Sequence, residues 1–214
     1  MISDPFDFSM GCHTANMLFR SLRLDRLWHA DPGRPSPDRA LIRIDGQASE
    51  VDVEGYPRWM VVVFEIPARD ELPPVKLTLY TGGRRPSEDV LRGEPMTDWG
   101  ALLDGPRGAI FSDCPWNTRY ALLPKTEFEG YPGPETTLPR GPSHHAEWVE
   151  ACKGRGETFS SFAIGGPLTE LIQLANVAAT VGEPFDYEPL GGHVLNNDTA
   201  NGLLNREYRD GWTL

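Results

Sequence analysis

The chain has 214 residues, a formal net charge of −11 and 39% hydrophobic residues, which predicts a globular chain of roughly one to one and a half domains. An acidic surface repels phosphate backbones and anionic lipids, so nucleic acids and membranes are excluded as first-choice partners. The 22 glycines and 20 prolines exceed average usage and favour a loop-rich α+β or β-rich domain over a helical bundle.

The first helix is predicted over residues 10–22, after about eight residues of coil. Ser9 stands at the N-cap position, where its hydroxyl accepts a hydrogen bond from a free backbone N–H. His13 lies off the apolar face, one turn after Ser9. That apolar face is formed by residues recurring at helical spacing: Gly11, Ala15, Leu18, Phe19 and Leu22.

The next hundred residues predict mostly strands. Residues 39–44 and 47–53 flank Asp45-Gly46, a dipeptide typical of tight hairpin turns. Residues 59–66 form a nearly continuous apolar run, which predicts a central strand covered on both faces.

Three further strands are predicted downstream. Residues 75–80 alternate between apolar and polar, and residues 109–112 and 120–123 form shorter strands. A proline- and glycine-rich surface connection is expected over residues 125–142.

Two longer helices follow. The first starts near Ser143 and stops at Gly154, and the second begins with Pro167 in its first turn and ends at Gly182. A strand near residues 185–188, a helix near 199–205 and an extended end at 208–214 complete the chain. The sequence therefore predicts one α+β domain, with an open, mainly antiparallel sheet and its helices gathered on one face. The apolar stripes are His145, Trp148, Val149 and Cys152 in the first helix and Leu168, Leu171, Ile172, Ala175, Ala178 and Ala179 in the second.

Motifs for nucleotides and metals are missing from the sequence. Neither G-x-G-x-x-G after a strand nor G-x-x-x-x-G-K-[ST] occurs, and the Gly-Gly doublets at 82–83, 165–166 and 191–192 predict turns and caps. His144 and His145 point apart on a helix, so a metal site is not expected there; His145 is expected to pack beside Trp148. The six tryptophans are predicted to lie mostly in the core.

Three cysteines with no C-x-x-C pair predict neither a disulfide framework nor a zinc site, and indicate a reducing compartment. The first eight residues have neither a basic n-region nor an apolar h-region, so no signal peptide is expected. The longest apolar run, residues 60–64, is too short to span a membrane. A cytoplasmic location is therefore expected.

Six segments in order along the chain resemble the C-terminal domain of the glucose–fructose oxidoreductase / inositol dehydrogenase (Gfo/Idh/MocA) family, in the version common in planctomycete-like bacteria. The first is MGCHTANMLF at residues 10–19 and the last is NREYRDGWTL at 205–214. The others are residues 56–69, 73–83, 138–154 and 165–182. The resemblance implies that residues 1–214 form a single domain of this type without a nucleotide-binding domain.

The resemblance also implies a function. Members of the family look like two-domain NAD(P)-dependent sugar or polyol oxidoreductases, in which a D-x-x-x-H pair serves the substrate hydroxyl. His13 falls on the histidine position, as the acid/base for proton transfer, whereas Ser9 stands at the position of the family aspartate. Asn16, three residues later, either faces a sugar hydroxyl or is an exposed polar helix position.

The family's glycine-rich fingerprint and its E-K-P lysine have no counterpart here. Lys76 is predicted in a strand, Lys125 in a loop and Lys153 at a helix C-terminus. The chain alone is therefore expected to be inactive and to bind neither NAD nor NADP. Either cofactor would come with a Rossmann domain lost to truncation, a late start codon or a split gene.

Two alternatives remain open: a non-catalytic carbohydrate-binding or scaffold module, and part of an NAD-dependent redox glycosidase. The family's habits also imply a homo-oligomer formed through the sheet.

Overall fold

The computed structural model describes residues 2–4, 11–29, 40–51, 55–205 and 208–212. Within these residues one sheet contains nine strands: β1 (Ile2–Asp4), β2 (Ile42–Ala48), β3 (Met60–Ile66), β4 (Val75–Thr81), β5 (Gly100–Gly105), β6 (Gly108–Ser112), β7 (Ala121–Leu123), β8 (Phe185–Glu188) and β9 (His193–Val194). Their spatial order is β7-β6-β5-β1-β4-β3-β2-β8-β9. Only β1 and β4 pair in parallel, and all other described neighbours are antiparallel. The predicted α+β class with an open, mainly antiparallel sheet is confirmed.

The helices are α1 (Gly11–Thr14), α2 (Asn16–Ser21), α3 (His144–Cys152), α4 (Phe162–Val181) and α5 (Asp198–Leu204), with short 3-10 helices at Leu24–Leu27, Glu88–Leu91 and Lys125–Glu127. Helix α4 packs across β2 and β3, and α1 packs against α4. The long helix, the first helical segment and the sheet thus share one main core. No helix among the described residues has the length and apolar character needed to cross a lipid bilayer.

The contact between α4 and β2 corrects the predicted hairpin. Strand β2 runs straight through Asp45 and Gly46 instead of turning there. A Cβ on Gly46 would lie 2.6 Å from the carbonyl carbon of Ala178 on α4, so the glycine permits close approach of the helix. The dipeptide therefore marks a packing contact, not a turn. Residues 39, 52 and 53 of the predicted hairpin lie outside the described residues.

The start of α4 also differs from the prediction. The helix begins at Phe162, so Gly165, Gly166 and Pro167 lie inside it instead of forming its cap and first turn. Proline cannot donate to the carbonyl four residues earlier, that of Ala163. His29 Nε2 lies 2.9 Å from this oxygen and donates to it in place of the missing N–H. A tertiary contact thus allows the helix to continue through the proline.

The predicted buried face and C-terminal end of α4 are confirmed. The residues expected to line it are all buried. Gly182 ends the helix with φ 67°, a left-handed conformation that glycine adopts without strain.

The prediction missed three strands, which are β1, β5 and β9. The expected N-terminal coil contains β1, which inserts between β4 and β5. Strand β5 has no alternating pattern, because Gly100, Ala101 and Leu102 are all buried. Ala101 joins the main core and Leu102 a second cluster on the opposite face. The expected extended end is instead a turn at residues 209–212, closed by a hydrogen bond from Trp212 N to Arg209 O; residues 213–214 lie outside the described residues.

The outer face of the sheet is partly open along β2, β3 and β4. Strand β3 buries Met60, Val62, Phe64 and Ile66, but Val61 and Val63 are half-exposed and Glu65 is exposed. The prediction that this strand is covered on both faces is therefore wrong. The predicted alternation of β4 is confirmed, with Leu77 and Leu79 inward.

Candidate functional site

His13 lies on α1, exposed to solvent, while Gly11 and Thr14 on the same short helix are buried. The predicted apolar face explains this orientation, because Ala15, Leu18 and Phe19 are all at most 3% exposed. Packing of that face against the core leaves the imidazole on the outer side of the helix. Ser9, the residue at the position of the family aspartate, lies outside the described residues.

A turn between β6 and β7 holds His13 in place. The Trp116 ring packs edge-on against the His13 ring, with centroids 4.7 Å apart and an interplanar angle of 75°. The side-chain amide of Asn117 donates to the carbonyl of His13 at 2.9 Å and to that of Thr14 at 3.3 Å. Both ends of the His13 residue, ring and carbonyl, are thus contacted by two consecutive residues of one turn.

These contacts explain an interruption in the first helix. The predicted single helix is divided at Ala15 into α1 and α2. The interruption directly follows the two carbonyls that accept from Asn117, and a side chain that inserts at helix carbonyls is a known cause of such breaks. Asn117 itself has φ 52°, a left-handed conformation that asparagine tolerates better than most residues. The turn is therefore shaped to present its amide to the helix.

The structure leaves three buried oxygens without hydrogen-bond partners among the described residues at this junction. They are Thr14 Oγ1, Asn16 Oδ1 and Asn117 Oδ1. A fourth such atom, Asn176 Oδ1, lies on α4. A buried acceptor without a partner costs about 1–3 kcal/mol, so this junction is a costly part of the fold. Asn16, for which the sequence left a sugar contact or an exposed polar position open, is half-buried.

Cys114 opens the same turn and has an unusual thiol. Its sulfur lies 3.4 Å from the Thr118 hydroxyl, and hydrogen bonds from that hydroxyl and from the backbone of residues 116, 118 and 119 outweigh burial and lower the pKa of Cys114 to about 7. The turn is closed at its base by an ion pair of 3.1 Å between Asp113 and Arg119. Near neutral pH the thiol is thus partly ionised within a ring of donors.

Sequence reasoning missed this turn. Residues 115–117, Pro-Trp-Asn, are of a kind that favours a local turn. In the structure, a hydrogen bond of 3.2 Å from Asn117 N to Cys114 O closes that turn. No pattern in the sequence around the turn indicates that it contacts α1, a helix about a hundred residues earlier. The only available signal was an aromatic residue in a polar turn, whereas the sequence placed the tryptophans mostly in the core.

The tryptophans depart from that expectation throughout. Trp28, Trp59 and Trp99 are half-buried, and the other three are more exposed. Trp116, Trp148 and Trp212 are 57%, 64% and 60% exposed. Of the three, Trp116 is the one in contact with the candidate acid/base.

The other candidate sites do not assemble. The rings of His144 and His145 were expected to point apart, but their centroids lie 4.3 Å from each other with the planes tilted by 40°. His145 was expected to pack beside Trp148, and both residues are exposed. The described residues hold no group of three or more metal-binding side chains. Lys125 pairs with Glu94 at 2.6 Å and Lys153 with Glu150 at 3.5 Å.

A small cavity lies on the opposite face of the sheet, below Trp99 and Leu91. Its volume of about 20 Å³ is that of a single water molecule, and its lining is almost wholly apolar. It is therefore a packing gap and not a substrate site.

The glycine doublets do not fit a dinucleotide. A pyrophosphate needs glycines between a strand and the N-terminus of a helix. Gly165 and Gly166 lie within α4, Gly82 and Gly83 form the turn that ends β4, and Gly191 and Gly192 lie in the β8–β9 turn. The described residues thus offer no cradle of this kind for NAD or NADP.

No protein-family model and no curated protein matches this sequence. Among solved structures, an NAD-binding protein from Listeria innocua is similar to it, with a TM-score of 0.41 and 12% sequence identity. The likeness covers 77% of this chain and 45% of that protein. The chain therefore spans less than half the length of that protein, and the likeness is a distant one of fold only.

Proposed function

We propose that this chain is the substrate-binding and oligomerisation domain of an NAD(P)-dependent sugar or polyol oxidoreductase of the Gfo/Idh/MocA type, with residues 1–214 forming one C-terminal-like domain. The observation that carries the proposal is the exposed His13 ring held edge-on against the exposed ring of Trp116. An imidazole can both donate and accept a proton, which suits proton transfer to or from a hydroxyl.

The residues present indicate that substrate binding and cofactor binding belong to different domains. Because the described glycines do not form a pyrophosphate cradle, the cofactor belongs to a Rossmann domain on another segment or chain. This chain contributes His13 for the substrate proton and the surrounding surface for the substrate ring. On its own it binds substrate but performs no hydride transfer.

Calorimetry of the purified chain tests this division. We expect a hexose or inositol, such as D-glucose or myo-inositol, to bind, and NAD and NADP to show no heat of binding. Failure of a panel of hexoses, pentoses, inositols and alditols to bind would refute the proposed function. Micromolar binding of NAD or NADP would refute the assignment of the cofactor to another domain.

A non-catalytic carbohydrate-binding or scaffold module is the second candidate. It is favoured by Ser9, which stands where the family pattern has an aspartate. The genomic reading frame upstream of Met1 tests whether the cofactor domain belongs to the same chain. An in-frame strand–GxGxxG–helix segment supports truncation of an oxidoreductase, and an upstream stop codon with no such segment contradicts truncation. Micromolar binding of NAD or NADP in the calorimetry would rule out the non-catalytic module.

The outer face of the sheet supports the proposed homo-oligomer. Half-exposed Val61 and Val63 on β3 lie beside Tyr80 and Thr78 on β4. Next to them runs a row of alternating charge across four strands, Asp186, Arg43, Glu65 and Lys76. An apolar strip bordered by alternating charges complements itself when a second copy is related by a two-fold axis.

Light scattering tests the oligomer at micromolar concentration. We expect a dimer or larger assembly that Val63→Arg dissociates, because the new charge would be buried without a partner. The matched control is Val149→Arg on α3, which should leave the assembly intact. A monomeric unmodified chain would contradict this part of the proposal.

A further inference from the structure

The turn between β6 and β7 is braced by its own contacts. A backbone hydrogen bond of 3.2 Å joins Asn117 N to Cys114 O, and the Cys114 sulfur lies 3.4 Å from the Thr118 hydroxyl. An ion pair of 3.1 Å between Asp113 and Arg119 connects the two ends of the turn. Side chains that project from a turn braced in this way keep a fixed direction, so the turn can hold a reactive group of another element in place.

Two side chains of this turn contact different parts of His13. The amide nitrogen of Asn117 donates to the His13 carbonyl at 2.9 Å and to the Thr14 carbonyl at 3.3 Å, which fixes the backbone at the end of α1. The Trp116 ring packs edge-on against the imidazole, with centroids 4.7 Å apart, which restricts rotation about the side-chain bonds of His13. The backbone and the ring of His13 are therefore held by separate groups.

Docking of the turn on α1 has a cost. The sequence pattern favours one helix over residues 10–22, yet the helix is interrupted at Ala15, beside the two carbonyls that accept from Asn117. Asn117 has φ 52°, and Thr14 Oγ1, Asn16 Oδ1 and Asn117 Oδ1 are buried without a hydrogen-bond partner among the described residues. Unfavourable local geometry persists only where the surrounding structure enforces it, and it is concentrated at functional sites. This cost points to a functional role for the junction.

We propose that Asn117 and Trp116 are positioning residues for His13: Asn117 fixes the backbone from which the imidazole projects, and Trp116 fixes the orientation of the ring. This inference rests on the proposed function for the role of His13, and it adds which residues direct that group. Neither positioning residue transfers a proton. Their contribution is orientation, because displacement of a reacting group by about 1 Å can lower a rate about a hundredfold.

Two substitutions of Asn117 test its part. Asn117→Asp keeps the size of the side chain and tolerates the left-handed backbone, but a carboxylate cannot donate to the two carbonyls. Asn117→Gly keeps the backbone conformation and removes the side chain. In NMR spectra of the full chain, both variants should lose the nuclear Overhauser effect between the rings of His13 and Trp116. The matched control is Asn176→Asp on α4, which removes an amide that donates to Gln173 and should leave this effect unchanged.

Trp116→Ala tests the orientation of the ring separately. Asn117 still donates to the helix in this variant, but the imidazole loses the ring that restricts it. The three-bond couplings between the Hα and Hβ protons of His13 measure the change: we expect one side-chain conformation in the unmodified chain and an average over staggered conformations in Trp116→Ala. The matched control is Trp148→Ala, because Trp148 is a similarly exposed tryptophan on α3; it should leave the couplings unchanged.

The two measurements together decide the proposal. Loss of the Overhauser effect in both Asn117 variants, with averaged couplings in Trp116→Ala, supports it. An Overhauser effect that persists in Asn117→Gly, or a single His13 conformation in Trp116→Ala, overturns it. Both measurements are made without a carbohydrate, so such a result leaves the proposed function standing. Failure of the calorimetric panel would instead refute the proposed function and leave the measured orientation of His13 unchanged.

Discussion

Helix α4 places eight residues in the core, whereas every residue of α3 remains at least partly exposed. The two helices are held in different ways. Packing on β2 and β3 fixes α4, and its Pro167 is accommodated by a contact from His29. Polar contacts fix α3: Ser143 accepts from Ala146 N at 3.4 Å, and Glu147 accepts from Phe159 N at 2.5 Å.

This difference shows what an apolar stripe does and does not predict. Both helices carry one in the sequence, yet only the stripe of α4 is buried. On α3, Trp148 is 64% and Val149 37% exposed. Periodicity indicates which residues share a helix face, but burial depends on whether another element reaches that face.

The largest expected effect contrasts a core leucine with a surface tryptophan. Leu171 on α4 is 1% exposed, and Leu171→Ala should lower the free energy of unfolding by about 2–5 kcal/mol through lost burial and a cavity. Trp148→Ala removes a larger side chain from α3, yet should change the free energy of unfolding by less than about 0.5 kcal/mol, because this side chain is exposed. Urea unfolding followed by circular dichroism measures both. A loss for Trp148→Ala as large as that for Leu171→Ala would mean that α3 is buried in solution.

The second prediction concerns the closest contact between α4 and the sheet. Gly46→Ala places a Cβ against the backbone of Ala178, and such overpacking should cost about 1–3 kcal/mol of unfolding free energy. The control is Gly165→Ala within α4, where a Cβ meets nothing within 4 Å. This substitution should raise the free energy of unfolding by about 0.5–1 kcal/mol, because alanine favours a helix more than glycine does. Equal stability of Gly46→Ala and the unmodified chain would show that α4 shifts without cost.

Gly46 also shows where sequence reasoning stops. The helical faces, the central strands and the end of α4 could be predicted, because residue periodicity and capping act locally. The role of Gly46 is set by a helix more than a hundred residues away. The hydrogen bond from His29 to the Ala163 carbonyl and the contact of His13 with Trp116 also join residues that are far apart in the sequence. His13 was therefore found from its motif position, but Trp116 and Asn117 could not be assigned to it.

A smaller effect is expected at the cap of α3. Ser143→Ala removes the acceptor for Ala146 N, and the 3.4 Å separation places the cost at the low end of the N-cap range, about 0.5 kcal/mol. Because α3 is held locally, the loss should accelerate amide hydrogen exchange in α3 and leave α4 unchanged. Equal acceleration in both helices would indicate that they unfold as one unit.

The smallest effect is a dependence of α3 on pH. The Arg155 guanidinium, bonded to Glu150 at 2.8 Å, lowers the pKa of Glu150 below its ordinary value, and Lys153 acts in the same direction. The contact is therefore complete above the ordinary glutamate pKa and is lost as pH falls through the lower value of the folded chain.

NMR of the Arg155 Nε–H group measures this loss directly. Its resonance should shift below about pH 4.3, the ordinary glutamate pKa, and added salt should weaken the contact because the pair is exposed. Glu150→Gln should abolish the shift, and amides of α4 should show none over the same range, since packing of apolar groups does not titrate. The same shift in Glu150→Gln would assign it to another carboxylate and remove the ion pair from the contacts that hold α3.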